Sequence, residues 1–230
     1  MYLPFISDEK LKNAVDHVFN AFHKAINETN IHKNVLDPFS ALLEGIFSEK
    51  TYDQWIHGEK QRKAQKSFQN AVGTFHQMII GGFYDWQNLG DGGGLDVCSD
   101  KFKILAEIKN KHNTMNSSSA LEIYDKITEM LSLEAYRDYK GYVVKIIPKS
   151  AKGIPAKEFT PSDAKNKRKR IANSRILEID GKRFYALATG DKDAMEKVFD
   201  ILPRVIENVK GRKLSKSEIV KFKDIFNLIF

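Results

Sequence analysis

Residues 95–109 read LDVCSDKFKILAEIK, and the fold turns on how they pair. In the second half of this stretch the apolar Ile104, Ala106 and Ile108 alternate with Leu105, Glu107 and Lys109. Period-two alternation is the pattern of a strand, in which side chains two residues apart share a face at about 7 Å. Glu107 and Lys109 then present a carboxylate and an ammonium to the same space. Whether Asp96 joins them depends on parity, because a slip of one residue sends a side chain to the opposite face of a sheet. A hairpin of 95–98 with 102–109, turning through Ser99, Asp100 and Lys101 with an even loop, sets Cys98 against Lys103 and Asp96 against Leu105. Asp96 is then diagonal to Glu107, at about 7 Å between Cβ atoms. Two carboxylates at that spacing can hold one hard cation. An odd loop turns Asp96 away and the site fails.

The tripeptide acid-x-Lys alone discriminates little, since it begins at Asp8, Glu107, Asp138, Asp163 and Asp180. The copy at Asp8 reads as a helix start, that at Asp138 as a helix end, that at Asp163 as a basic loop, and that at Asp180 as a hairpin turn around Asp180-Gly181. Only Glu107 lies in an alternating strand with an acid on a preceding one.

The 230 residues suffice for one compact unit, and no linker rich in Pro, Gly or Ser separates large blocks. Lysine and arginine exceed aspartate and glutamate by 37 to 30, with pI ≈ 9.2, which favours a polyanionic partner. No apolar run approaches the ~20 residues of a membrane span, and the N-terminus MYLPFISDEK lacks a basic segment followed by an apolar one. A soluble, cytoplasmic protein is expected. With Cys98 alone there is no internal disulfide and no thiolate zinc cluster, and this cysteine reads as a small hydrophobe.

Upstream, Ser7 caps a helix over 8–28 with Leu11, Ala14, Val15, Val18, Phe22 and Ile26 at helical spacing. Asp37-Pro38 starts a second helix through Phe47, and a third runs over 58–80 with Ala64, Phe68, Val72, Phe75 and Ile79 inward. Residues 83–89 (FYDWQNL) have strand composition. The Gly-Asp-Gly-Gly-Gly run at 90–94 lacks the Lys-Ser/Thr of a nucleotide loop and reads as a permissive turn. A polar loop over 112–119, a helix over 120–139 with Leu121, Tyr124, Ile127 and Leu131 on one face, and a strand over 142–147 follow. A hairpin over 175–189 and helices near 192–209 and 215–228 complete the chain.

The order is helix, three strands, crossover helix, strand. With an acid on the second strand and Glu-x-Lys on the third, it resembles the PD-(D/E)xK nuclease superfamily. The string Ala106-Glu107-Ile108-Lys109-Asn110-Lys111-His112-Asn113-Thr114, after Gly94-Leu95-Asp96, is similar to the type II restriction endonucleases of the SinI kind, which recognise GGNCC or GGWCC. Asp37-Pro38-Phe39 with Glu44, and the segment 64–77, share that likeness. Leu95 stands where the superfamily name has proline, and Met115 where a second threonine is expected.

The resemblance implies an α/β (mixed α+β) restriction-endonuclease-like αβββαβ core, a mixed sheet flanked by helices. It reads as a single nuclease domain over 1–230, made of N-terminal helices (1–57), a catalytic core (58–150) and a C-terminal extension for DNA contact and packing (151–230). It implies Mg²⁺ held by Asp96, Glu107 and the backbone carbonyl of Ile108, with Lys109 orienting the attacking water, and a product that keeps its phosphate on the 5′ side. Glu44 is a candidate accessory ligand and Gln69 a weaker one. For DNA, Lys111, His112 and Asn113 leave the catalytic strand, and Lys165, Lys167, Arg168, Lys169 and Arg170 form a basic run able to meet phosphates or guanine edges. His17, His23, His32, His57 and His76 lack zinc-ligand spacing and read as structural. A palindromic site implies a homodimer on double-stranded DNA, with a matching methyltransferase as a genetic companion. The competing expectations are a structure-specific repair nuclease or resolvase on the same core, a non-catalytic DNA-binding protein, and a histidine-metal nuclease built on His112-Asn113.

Overall fold

The structure is a computed structural model describing residues 1–28, 30, 35–90, 92, 94–163 and 168–230. The chain divides into two compact units, residues 1–15 with 76–230, and residues 16–75. Helix α1 is Asp8–Ile26, with the Ser7 hydroxyl accepting from the Lys10 N–H (3.2 Å). Helix α2 is Pro38–Phe47, capped as expected by Asp37, whose carboxylate accepts from the N–H groups of Phe39 and Ser40. Helix α3 is Tyr52–Ile80 and begins earlier than expected. The reason is a reciprocal cap: the Gln54 N–H donates to Thr51 Oγ1 and the Thr51 N–H to Gln54 Oε1. Within residues 16–75, Phe22 meets Phe68 edge-on at 5.6 Å.

The main sheet has six strands in the order β1-β2-β3-β4-β8-β5: β1 Gln87–Asn88, β2 Val97–Ser99, β3 Ile104–Lys111, β4 Lys140–Ile147, β8 Ile176–Asp180 and β5 Lys157–Glu158. Pairing is antiparallel from β1 to β3, parallel from β3 through β4 to β8, and antiparallel at β5. A separate two-stranded sheet joins β6 (Ser162–Asp163) to β7 (Arg168–Lys169). The expected mixed sheet flanked by helices, with its αβββαβ order, is present.

Four local expectations need correction. Residues 83–89 are not one strand: Phe83 forms a lone bridge with Ile6, Asp85 takes a left-handed backbone (φ 67°), and only Gln87–Asn88 joins the sheet. Helix α4, Ser117–Ser132, takes in three serines assigned to the preceding loop, because Asn116 accepts from the Ser119 N–H (2.8 Å) and caps the helix there. It stops at Ser132 and is followed by a short 3₁₀ turn, Glu134–Tyr136, so the helix does not reach 139. Around Asp180-Gly181 there is no hairpin. Strand β8 runs into helix α5 (Gly181–Thr189), with the Asp180 carboxylate capping the Arg183 N–H (2.9 Å). Gly181 is needed for close approach, since a Cβ there would sit 2.7 Å from the Ile146 carbonyl oxygen.

Helix α4 covers one face of the sheet. Its Ile123, Tyr124, Ile127 and Leu131 pack with Cys98, Leu105, Val143, Phe159 and Ile176, and Cys98 is the buried hydrophobe the sequence suggested. Helix α5 lies on the other face, where Phe184 meets Tyr142 (5.7 Å) and the Trp86 indole donates to the Ala188 carbonyl (3.1 Å). Helices α6 (Ala194–Lys210) and α7 (Lys216–Ile229) follow, the latter with a reciprocal Ser215/Glu218 cap. Among the described residues no helix is long and apolar enough to cross a membrane.

Gly141 sets how closely α4 approaches the sheet, because a Cβ there would lie 2.1 Å from Ile127 Cγ2. Gly141→Ala should therefore destabilise the fold by about 1–3 kcal/mol, the usual cost of overpacking. Urea titration checks this, and an unchanged midpoint would show that α4 moves without cost.

Candidate active site

The parity argument holds, but the register is shifted. Four residues, Asp100 to Lys103, lie between the paired Ser99 and Ile104, and Cys98 faces Leu105 where Lys103 was expected. The ladder ends with Val97 opposite Ala106. Asp96, next along, also donates its N–H to the Ala106 carbonyl (3.1 Å), so two consecutive residues address a single partner. That is a β-bulge, a feature that re-aims a side chain.

Two polar contacts fix the re-aimed Asp96 carboxylate. Its Oδ2 accepts from the backbone N–H of Ile108 (2.6 Å) and its Oδ1 from Nε2 of Gln77, near the end of α3 (2.9 Å). Burial, reinforced by the charge of Glu107, pushes the Asp96 carboxyl up to about 6, against the pull of the Ile108 N–H, Lys109 and Gln77. A carboxylate this costly to ionise beside a second one gains from a nearby cation. N–H and C=O of one strand residue point to the same edge, so the Ile108 carbonyl faces the edge that Asp96 occupies.

Glu107 and Lys109 share the face predicted for them. Lys109 Nζ donates to Glu107 Oε1 at 2.7 Å, with the two side chains 28 % and 12 % exposed. The parallel register extends this face across the sheet: Glu107 is level with Val143 and Glu178, and Lys109 with Lys145 and Asp180. Lys145 is paired with Glu178, which also accepts from Lys157 (3.1 Å). The face is thus apolar at Leu105, Val143 and Ile176, where α4 covers it, and charged toward the C-terminal ends of β3 and β4.

Within residues 16–75 the Glu44 carboxylate is engaged by Lys50 (2.8 Å), Arg62 (2.9 Å) and the Trp55 indole (3.1 Å), and Lys50 and Arg62 hold it down to about 2. Gln69 lies on α3 in the same unit. Lys111 ends β3, with His112 and Asn113 in the turn beyond. Arg168 and Lys169 are exposed on β7. Arg170 pairs with Asp125 (2.7 Å) and Asp163 (3.7 Å). Lys165, Lys167 and His32 lie outside the described residues. His76 meets the Tyr185 hydroxyl at 2.9 Å and His57 meets Gln61 at 3.0 Å, both as structural contacts.

Sequence reasoning missed three residues at this face: Gln77, Lys145 and Glu178. Lys145 carried a signal, a lone charge inside the apolar strand YVVKII. Gln77 carried none, because its role exists only once α3 lies beside the bulge. Among the described residues no group of three or more His, Cys, Asp or Glu side chains could hold a metal ion.

The family model for the Eco47II restriction endonuclease matches residues 3–210. The chain is 36 % identical over 219 residues to the type II restriction enzyme Eco47II of Escherichia coli, covering 93 % of this chain and 90 % of that enzyme. It is 30 % identical over 220 residues to the type II restriction enzyme Sau96I of Staphylococcus aureus, covering 94 % of this chain and 84 % of that enzyme.

Proposed function

The chain belongs to the Eco47II restriction endonuclease family and is a site-specific deoxyribonuclease, and from that premise we propose that it hydrolyses double-stranded DNA at a short palindrome, GGNCC or GGWCC, with Mg²⁺ at the bulged strand pair. The observation that carries the assignment is the Asp96 carboxylate, turned by the bulge onto the Ile108 N–H beside Glu107 and Lys109.

The donor set suits a hard cation. Magnesium prefers oxygen, keeps several waters and is bound through one or two carboxylates plus substrate phosphate. Asp96, Glu107 and the Ile108 carbonyl would hold it, and when bound it supplies a seat for a scissile phosphate oxygen and a water of lowered pKa. Lys109, anchored by Glu107, orients the attacking water and balances charge growing at phosphorus. Gln77 keeps Asp96 in place. Glu44 would serve as an accessory acid only by exchanging Lys50 and Arg62 for the metal. Lys111, His112, Asn113, Lys167, Arg168 and Lys169 are proposed DNA contacts, with Arg170 contributing if it leaves Asp125. The palindrome calls for a homodimer, one subunit per strand, and a methyltransferase that protects the same site. Cleavage leaves 5′-phosphates, and the enzyme acts in the cytoplasm.

Digestion of a mixed-sequence plasmid tests the reading. Discrete fragments in Mg²⁺, none in excess chelator, and ends that share one palindrome are expected. A smear, or nicking confined to branched DNA, would favour the repair-nuclease reading instead.

A further inference from the structure

Lys145 has no place in the chemistry assigned so far, yet its position is unusual. The parallel register sets it beside Lys109 on the same face of the neighbouring strand, and neighbouring strands lie about 4.8 Å apart. Like charges side by side on a sheet oppose stability. Packing does not demand the arrangement, since the residues nearer α4 on the same face, Leu105, Val143 and Ile176, are apolar. Both Lys145 and its partner Glu178 are largely withdrawn from water, at 15 % and 14 % side-chain exposure. The Lys145 ammonium also lies 5.7 Å from the centre of the Phe159 ring, which limits the directions its stem can take.

Glu178 is held by two cations. Burial alone would raise its carboxyl, but Lys145 and Lys157 outweigh that and keep it below the usual range. Lys157 reaches the other carboxylate oxygen, Oε1, at 3.1 Å. Glu178 therefore stays compensated if Lys145 turns to another anion.

Resting on the nuclease reading above, we propose that Lys145 is a second DNA-phosphate ligand of this site. It leaves Glu178 for a non-bridging oxygen of the DNA backbone at or beside the phosphate that Lys109 faces. Glu178 stores the ammonium in the free protein, and Lys157 stays with the acid when DNA arrives.

The test measures affinity for a DNA fragment that the wild type cuts, with Ca²⁺ replacing Mg²⁺, over a series of salt concentrations. A lysine lost from a phosphate lowers the slope of log affinity against log salt by about one. Lys145→Gln is expected to show that lower slope and about tenfold weaker binding near 0.1 M salt, while Lys145→Arg keeps the wild-type slope. If Lys145→Gln alone does not fold, the double variant Lys145→Gln/Glu178→Gln removes the pair without stranding the acid and gives the same readout. A lowered melting temperature with an unchanged salt slope would mean a purely structural bridge and would overturn the inference. Wild-type cleavage in Mg²⁺ is scored in parallel: if it is absent the nuclease reading itself fails, and if it is present with an unchanged slope only the role of Lys145 fails.

Discussion

Lys109→Ala is expected to lower the single-turnover rate of DNA cleavage by about three orders of magnitude while DNA affinity in Ca²⁺ changes only a few-fold. A positioned charge-stabilising group typically contributes about 10²–10³-fold to rate, and Lys109 is proposed both to balance charge and to orient the attacking water. Some loss of fold stability should accompany it, because removing Lys109 strands the largely buried Glu107 carboxylate, so rates are compared where both proteins are folded. The loss of rate should then fall on chemistry. Gel analysis of rapid-quench samples, beside anisotropy titration of the same fragment, separates the two quantities. Cleavage at the wild-type rate would remove Lys109 from the mechanism.

Asp96→Asn should move activity and stability in opposite directions. Loss of a metal-holding oxygen and its charge is expected to reduce cleavage by at least about a thousandfold. In metal-free buffer the same variant should be more stable than wild type at pH 8. Asp96 titrates near 6 in the fold against 3.8 as its ordinary value. Between those values the folded state binds more protons than the unfolded one, so wild-type stability falls as pH rises through this window and levels off above it. The accumulated cost is roughly 2–3 kcal/mol. Asparagine removes it while its oxygen still accepts from the Ile108 N–H, and Gln77 can turn its amide to meet the new NH₂ group. The advantage should shrink as pH falls below about 6 and vanish near pH 3 to 4. Chemical denaturation of both proteins at pH 8 and pH 4.5 without divalent metal checks the sign. A variant less stable than wild type at pH 8 would show that the carboxylate is stabilised by its surroundings.

The elements whose signals are local were legible in the sequence. Asp37-Pro38 marked a helix start to the residue, and alternation across Ile104 to Lys109 marked the strand carrying Glu107 and Lys109. Parity also placed Asp96 near Glu107, although by a different route. The bulge at Asp96 could not be foreseen, because it arises when one strand continues past the end of its ladder and its carboxylate takes the Ile108 N–H in place of a backbone carbonyl. Asp180-Gly181 misled for a related reason. The dipeptide favours a tight hairpin in isolation, but β8 pairs with β4 and β5, so the aspartate is free to cap a helix. Gln77 and the pairing of Lys145 with Glu178 depend on contacts between elements distant in the chain, which no local pattern encodes.

The outermost strands of the main sheet, β1 and β5, are only two residues each. A row of unpaired peptide groups is what lets one chain extend the sheet of another, and these margins offer almost none. Copies of the protein should thus resist joining strand to strand into open polymers. The two-fold assembly proposed for a palindrome would then be built from helix or loop surfaces.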